Sequence, residues 1–218
     1  MINIYLIRHA ESMGNVNHHL IGGQSNHYPL TERGETQAHQ LGKRLQQEGL
    51  HFDYVHASIA VRAQQTCQIS CGHIGFDFAQ VQHTDQIVEL SQGEWEGQVR
   101  KDIYTPERKE EIVTNSYHFK APQGESQKEV CDRMENWLLA AIEGLDPKEE
   151  VNIAGYSHGF AIKCLVKRLM NSDPLMTYRT IIHNTSITCF QFNGKNWLLE
   201  RLNDHTHIIG SDFIGHYG

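Results

Sequence analysis

The stretch INIYLIRHAES, residues 2–12, begins as an apolar run and changes character abruptly at residue 8. The run INIYLI is short and rich in β-branched residues, which predicts a buried strand over residues 2–7. Arg8 and His9 follow directly, so that a guanidinium and an imidazole stand at the end of a strand. Polar groups in such a place form either a solvated turn or a functional site, and the rest of the chain has to decide between them.

Strands and helices alternate along the rest of the chain. Further strands are predicted over residues 52–58, 151–156, 186–192 and 197–202, and helices within 29–50, 60–70, 125–145 and 160–170. The alternation predicts an α/β fold with a mostly parallel sheet and helices on both of its faces. Thr31 is a plausible N-cap of the first helix and Gly49 ends it. Asn193-Gly194 predicts a hairpin that adds antiparallel strands to the sheet.

Composition limits the classes of protein to consider. The chain has 218 residues, of which 39% are hydrophobic and 21% charged, with a net charge of −7. We expect one domain over residues 1–218, with a small inserted helical cap at about 95–122. The negative charge argues against nucleic acid or an anionic membrane as a partner, although local arginines can still bind an anionic substrate. Five cysteines without a CxxC pair, and no signal peptide, favour a cytoplasmic protein with reduced thiols.

Fifteen histidines make a metal site worth considering. The chain contains no HExxH motif, and the tightest clusters are His18-His19 and residues 205–207. We expect these clusters to be solvated rather than to bind a metal ion. We therefore expect neither a metal nor another cofactor.

A second histidine stands at a strand end. His158 follows the predicted strand 151–156 and precedes Gly159 and a helix. Ligands of open α/β sheets bind beyond the carboxyl ends of the strands, where His9 and His158 can face each other. Backbone N–H groups at the start of the helix favour an anion in the same crevice.

Three more side chains suit an anionic ester. Arg8 and Arg62 can each present a guanidinium fork to phosphate oxygens. Ser58 is expected to cap the helix that carries Arg62. Glu89 follows the strand-like pair Ile87-Val88 and is a candidate general acid in a partly apolar wall.

Seven stretches in register resemble one known family. They are RHAES with Asn15, PLTERGETQA (29–38), SIAVRAQQT (58–66), ELSQGEWEG (89–97), PQGES (122–126), GYSHG (155–159) and NTSIT (184–188). Together they are similar to the histidine phosphatase superfamily, in its phosphoglycerate mutase-like branch. The resemblance implies that His9 is the nucleophile that becomes phosphorylated and that Glu89 is the proton donor. It also implies that Arg8, Arg62 and His158 bind the phosphoryl group and that Asn15 lines the phosphate site. We expect His158 to be protonated, so that three positive charges surround the phosphoryl oxygens.

Two departures separate the chain from the mutases. Mutases resemble ERHYG where this chain has ELSQG, so that Leu90, Ser91 and Gln92 replace the arginine and tyrosine that grip substrate. GGQSN (22–26) replaces the mutase GWxD stretch. The sequence therefore predicts a metal-independent phosphomonoesterase that acts on a small phosphorylated metabolite through a phosphohistidine. The alternatives are a mutase-type phosphoryl transferase, a catalytically silent binding or scaffold protein on this fold, and a metal-dependent hydrolase. The substrate and the oligomeric state stay open.

Overall fold

The computed structural model describes residues 1–208 and contains one six-stranded sheet. Its strands are β1 (Ile2–Arg8), β2 (Tyr54–Ser58), β3 (Gln82–Thr84), β4 (Val151–Ser157), β5 (Ile187–Phe192) and β6 (Trp197–Asp204). The α-helices are α1 (Met13–Val16), α2 (Glu32–Gln47), α3 (Val61–Gly72), α4 (Arg100–Ile103), α5 (Pro106–Thr114), α6 (Gln127–Ile142), α7 (Gly159–Leu169) and α8 (Met176–Arg179).

The side chains of β1 explain why helices cover both faces of the sheet. Side chains alternate along a strand, and both sets of β1 are apolar and buried. Ile4 and Leu6 belong to a core cluster with residues of α6 and α7. Tyr5 and Ile7 belong to a second cluster with residues of α2 and α3. The predicted α/β class with helices on both faces is therefore confirmed.

The strand order places the ends of β1 and β4 side by side. The order across the sheet is β3-β2-β4-β1-β5-β6, and β1 to β4 are mutually parallel where they pair. Arg8 at the end of β1 lies opposite Ser157 at the end of β4. The residues that follow them, His9 and His158, therefore leave the sheet at the same edge. β5 and β6 form the predicted antiparallel hairpin, in which Gly194 has a φ of +90°.

Three elements, α1, β3 and α8, were not predicted from the sequence. The residues of β3 are polar and lie at an edge of the sheet, so they show no alternation of apolar side chains. The caps of α2 were predicted correctly. Thr31 Oγ1 accepts a hydrogen bond from the Gly34 backbone at 3.0 Å, and Gly49 follows the helix with a φ of +65°.

The segment 95–122, called the cap segment below, contains α4 and α5 and packs on the loop that follows β1. The Trp95 ring contacts Tyr104 and Phe119, with ring centroids 5.9 and 5.8 Å away. Ile21 of the loop is buried in the same cluster, and its backbone N–H donates to Gln98 O at 2.8 Å. None of the helices in residues 1–208 combines the length and the apolar character that crossing a bilayer requires.

Candidate active site

His9 is held as one defined tautomer. It is 3% exposed, its Nδ1 lies 2.7 Å from Ala10 O, and its Nε2 lies 3.3 Å from Arg62 Nε. A guanidinium can only donate, so Nε2 is the unprotonated nitrogen and Nδ1–H donates to the carbonyl. In this structure the Nε2 lone pair accepts the hydrogen bond from Arg62, and it is the lone pair that a nucleophilic histidine uses.

The surroundings also keep the His9 ring uncharged. Burial lowers the pKa of His9 well below its ordinary value of 6.5, and the positive charges of Arg62 and Arg8 lower it further. The hydrogen bond to Ala10 O acts in the opposite direction and is the smaller effect. At neutral pH the imidazole is therefore neutral.

His158 is also neutral, but it carries its proton on Nε2 rather than on Nδ1. Arg62 Nη2 donates to His158 Nδ1 at 3.1 Å, which requires Nδ1 to be unprotonated, and Nε2–H then donates to Ser58 Oγ at 2.8 Å. Its ring centroid lies 5.0 Å from that of His9. Burial, Arg62 and His9 hold the pKa of His158 well below 6.5. The expectation of a protonated His158 is therefore wrong for the ligand-free site, because a third charge would be buried against two guanidinium groups.

Arg62 connects the two histidines and is itself fixed by backbone carbonyls. It lies in the first turn of α3, is 5% exposed, and donates to Gly23 O, Gln24 O and Ser25 O at 3.0–3.3 Å. Burial lowers its pKa to about 10, so it stays charged at neutral pH. The loop after β1 thus aims this guanidinium into the site.

The expected role of Ser58 in capping α3 was wrong. The helix begins at Val61 with Ala60 as its N-cap. Ser58 is instead fully buried, and its hydroxyl oxygen is the partner of His158. Ser58 lies two residues before the N-cap, at the end of β2, and its hydroxyl contacts His158 after the neighbouring strand β4, which only the packing of β2 on β4 decides.

Arg8 contributes a second guanidinium. Its Nη1 donates to Ile182 O at 2.6 Å, whereas its Nε is buried and has no hydrogen-bond partner among the described residues. Burial lowers its pKa from 12.5, and the negative charge of Glu89 opposes that effect. An unsatisfied buried donor is costly, so Arg8 has hydrogen-bonding capacity for an anion.

Glu89 caps helix α7. Its Oε1 accepts hydrogen bonds from the backbones of Leu90 and Ala161 at 3.0 and 3.1 Å, and its Oε2 accepts one from Phe160 at 3.1 Å. Oε2 therefore keeps a free lone pair that can take a proton. The strand-like pair Ile87-Val88 ahead of Glu89 does not belong to a strand, because β3 ends at Thr84.

Arg133 of α6, rather than a neighbouring strand, holds the backbone of the segment that contains Glu89. Its guanidinium donates to Gln86 O, Val88 O and Glu89 O at 2.8–3.0 Å and pairs with Glu125 at 2.8 Å. Arg133 was not predicted as a site residue from the sequence. Its place about two helical turns after PQGES was the available signal.

Asn15 lies beside the nucleophile loop. Its Oδ1 accepts from the Ser12 backbone at 3.0 Å and lies 3.4 Å from Asn184 Nδ2. Asn184, which the analysis quoted within NTSIT but did not single out, donates to His9 O at 2.8 Å. All six predicted site residues, Arg8, His9, Asn15, Arg62, Glu89 and His158, therefore come together at the edge where β1 and β4 end.

The histidine clusters lie elsewhere. His18 and His19 are exposed, as expected, but His207 is half-buried with its Nε2 3.0 Å from Thr185 Oγ1, so the expectation that it is solvated was wrong. Within residues 1–208, no three His, Cys, Asp or Glu side chains converge as metal ligands do. The site can instead offer an anion two guanidinium groups and a neutral imidazole nucleophile, with a carboxyl group nearby.

Comparisons with known proteins show the family of the chain. The sequence model of the histidine phosphatase superfamily (branch 1) matches residues 4–205. The probable phosphoglycerate mutase GpmB of Cronobacter sakazakii is 31% identical, over 95% of both chains.

Solved structures show the same fold. YhfR of Bacillus stearothermophilus superimposes with a TM-score of 0.79 at 25% identity, over 95% of this chain and 100% of that one. The alpha-ribazole phosphatase of Shigella flexneri gives a TM-score of 0.75 at 25% identity, over 93% and 96% of the two chains. With a family model that spans nearly the whole chain, the protein belongs to the histidine phosphatase superfamily.

Proposed function

We propose that this protein is a metal-independent phosphomonoesterase that hydrolyses a small phosphorylated metabolite through a phosphohistidine at His9. The observation that carries the proposal is the pair of contacts on the His9 ring. Nδ1–H donates to Ala10 O, and the unprotonated Nε2 accepts a hydrogen bond from the Arg62 guanidinium. A neutral nucleophile beside fixed positive charge is what in-line phosphoryl transfer requires.

In the first step, His9 Nε2 attacks phosphorus and the ester bond to the alcohol oxygen breaks. Arg62 and Arg8 stabilise the negative charge on the phosphoryl oxygens. Glu89 gives a proton from Oε2 to the departing alkoxide, so that the alcohol leaves neutral and Glu89 becomes a carboxylate. The phosphoryl group is then bound to His9.

In the second step, water attacks the same phosphorus from the side that the alcohol has left. Glu89 accepts a proton from this water, the bond between Nε2 and phosphorus breaks, and inorganic phosphate forms. His9 returns to its neutral tautomer because Ala10 O still holds Nδ1–H. Glu89 is again protonated, and the cycle is closed.

The direct test is to trap the intermediate. Wild type and His9→Ala are mixed with a ³²P-labelled phosphomonoester and quenched in alkali, in which a phosphohistidine survives. We expect label on the wild type that is lost in acid, and none on His9→Ala. Equal labelling of both would contradict the assignment of His9, and a protein that neither takes up label nor releases phosphate would favour the binding or scaffold alternative.

Chelation separates this proposal from a metal-dependent hydrolase. We expect the release of p-nitrophenol from p-nitrophenyl phosphate to continue unchanged in excess EDTA. Vanadate, which mimics the five-coordinate transition state, should inhibit well below the KM of the substrate. Activity that EDTA abolishes and zinc or magnesium restores would favour the metal-dependent alternative.

A mutase is the second candidate, because a relative at 31% identity is named a probable phosphoglycerate mutase. The segment that would grip a phosphoglycerate in mutases is used differently here. Leu90 packs against the core, and Ser91 N–H donates to Glu125 at 2.9 Å. We expect phosphate release from 3-phosphoglycerate to exceed its conversion to 2-phosphoglycerate, with or without 2,3-bisphosphoglycerate. The reverse ratio, measured by NMR of the products, would favour the mutase.

A further inference from the structure

The peptide group between His9 and Ala10 determines where the nucleophile points. The Nδ1–H of His9 donates to the carbonyl oxygen of Ala10, the next residue, at 2.7 Å. A peptide group is planar and turns as a unit, so a rotation of the group that joins the two residues carries the Ala10 backbone with it. Whatever holds this peptide group in place therefore also holds the His9 ring in the orientation from which Nε2 reacts.

Thr66 holds the N–H end of this peptide group. Its side chain is fully buried on α3, where Oγ1 accepts a hydrogen bond from Ala10 N–H at 2.9 Å and donates one to Arg62 O at 2.7 Å. A hydroxyl is both a donor and an acceptor, so one side chain can bind a loop amide and a helix carbonyl together. Thr66 thus joins the loop that carries His9 to the turn of α3 that carries Arg62.

Asn184 holds the carbonyl end of the same group. Its Nδ2 donates to His9 O at 2.8 Å and lies 3.4 Å from Asn15 Oδ1. The backbone N–H of Thr185 also lies 3.4 Å from His9 O, but it donates to Arg8 O at the shorter distance of 3.0 Å. The Asn184 amide therefore makes the closer contact with the His9 carbonyl.

The peptide group on the other side of His9 is held by backbone atoms. His9 N–H donates to Ser157 O at 3.0 Å, and Arg8 O accepts from Thr185 N–H at 3.0 Å. Most residues at those two positions would supply the same backbone groups. The peptide group that follows His9 is different, because two particular side chains bind it.

We propose that Thr66 and Asn184 are positioning residues, which hold the Ala10 carbonyl against His9 Nδ1–H and so fix the ring for attack on phosphorus. The inference rests on the proposed phosphatase function. Both side chains act through the backbone of the nucleophile loop. A reacting atom that is displaced by about 1 Å can lose about 100-fold in rate, so this support matters for the chemical step.

Four variants separate positioning from stability. Thr66→Val keeps the shape of the side chain but leaves the buried Ala10 N–H without its acceptor, whereas Thr66→Ser keeps the hydroxyl. Asn184→Ala removes the amide at the other end. Ser70→Ala is the matched control, because Ser70 is fully buried one turn further along α3 and its hydroxyl bonds Thr66 O and the Tyr156 hydroxyl, each at 2.8 Å.

The first measurement follows the proton on His9 Nδ1 and needs no turnover. In protein labelled with ¹⁵N-histidine, the Nδ1–H signal of His9 is identified by its absence from His9→Ala, and its exchange with solvent is measured by NMR. We expect exchange at least about tenfold faster in Thr66→Val and Asn184→Ala, because the acceptor carbonyl is no longer held. Thr66→Ser and Ser70→Ala should stay within about threefold of the wild type.

The second measurement is the single-turnover rate of enzyme phosphorylation. We expect Thr66→Val and Asn184→Ala to lower this rate about 10- to 100-fold with p-nitrophenyl phosphate, while the Kd of the substrate changes less than about threefold. The factor should be the same with glycerol 3-phosphate, because attack by His9 is common to both substrates. Thr66→Ser and Ser70→Ala should keep the wild-type rate.

Three results would overturn the proposal. One is a Thr66→Val protein with the exchange and the rate of the wild type. Another is an equal loss of rate in Ser70→Ala, at a similar free energy of unfolding in urea, which would show that the rate follows stability. The third is slow phosphorylation with unchanged exchange, which would mean that Thr66 acts through Arg62. Faster exchange in a protein that hydrolyses no phosphomonoester would contradict the phosphatase and support the positioning role.

Discussion

At the scale of single residues, Arg62 determines the protonation of both histidines. It donates Nε–H to one ring and Nη2–H to the other, and an arginine cannot accept in return. His9 must then carry its proton on Nδ1 and His158 on Nε2, where Ala10 O and Ser58 Oγ receive them. One buried guanidinium therefore prepares the nucleophile and keeps the second imidazole uncharged.

The role of Glu89 can be tested with two substrates whose leaving groups differ in how much they need a proton. p-Nitrophenolate leaves readily without a proton, whereas a glycerol alkoxide does not. General acid catalysis is typically worth about 10²–10⁴-fold in rate. We therefore expect Glu89→Gln to lower the single-turnover rate of enzyme phosphorylation at least about tenfold more with glycerol 3-phosphate than with p-nitrophenyl phosphate. Rapid-quench measurement of the phosphoenzyme gives both rates.

The exposed Glu94, in the same motif, provides the control, and Glu94→Gln should leave both rates unchanged. Single turnover is needed because Glu89 also serves the hydrolysis step that both substrates share. Equal losses on the two substrates would mean that Glu89 acts by capping α7 and that another group donates the proton.

At the scale of elements, helix α2 approaches the nucleophile loop unusually closely. A Cβ atom on Gly34 would overlap the carbonyl oxygen of Glu11 and come within 2.9 Å of its carbonyl carbon. That oxygen already accepts from the Thr31 backbone at 3.1 Å, so the loop cannot easily move away. The glycine lets the first turn of α2 support the loop that carries His9.

In Gly34→Ala, the higher helix propensity of alanine would stabilise α2, whereas the overlap of its Cβ atom with Glu11 O would destabilise the protein. Propensity alone would stabilise the helix by up to about 1 kcal/mol, but displacing a backbone costs more. We expect Gly34→Ala to lower the free energy of unfolding by about 2 kcal/mol or more. Gly72→Ala is the matched control, because its Cβ meets no atom within 4 Å and should stabilise the protein by about 0.5 kcal/mol. Urea unfolding checks both, and stabilisation by Gly34→Ala would contradict the close approach.

At the scale of the whole molecule, several histidines are kept neutral by burial. Desolvation lowers the pKa of His207 and of His183 to about 4, and holds those of His9, His56 and His158 below 6.5. The unfolded chain binds these protons at a pH near 6.5, and the folded chain only at lower pH. Protons therefore favour the unfolded state increasingly as the pH falls below about 6.5.

We expect the free energy of unfolding to decrease steadily between pH 7 and pH 5 in urea titrations. For His207, the pKa is about 4 in the folded protein and near 6.5 in the unfolded chain. This difference lowers the free energy of unfolding by at most about 3 kcal/mol, which is reached once the pH is below both values. His207→Gln should therefore flatten the pH dependence, whereas His51→Gln, at an exposed position, should not. A stability that is constant or rises toward pH 5 would contradict the neutral buried state of these rings.

By itself, the sequence determined the α/β class and the residues that meet at the site. Alternating strands and helices specify a parallel sheet, and in such a sheet the residues after β1 and β4 must leave at one edge. Those two facts follow from local pattern and chain direction, which a sequence carries directly. This is why His9 and His158 could be placed together before any contact was known, whereas the resemblance to the histidine phosphatase superfamily implied the place of Arg62.

The tertiary structure alone decided how these residues are charged and held. His158 is neutral and donates to Ser58, and Arg133 supports Glu89; in each case the partners come from segments distant in the chain. Burial and hydrogen-bond partners set the protonation of a group, and both depend on which distant backbone atoms the fold brings within about 3 Å.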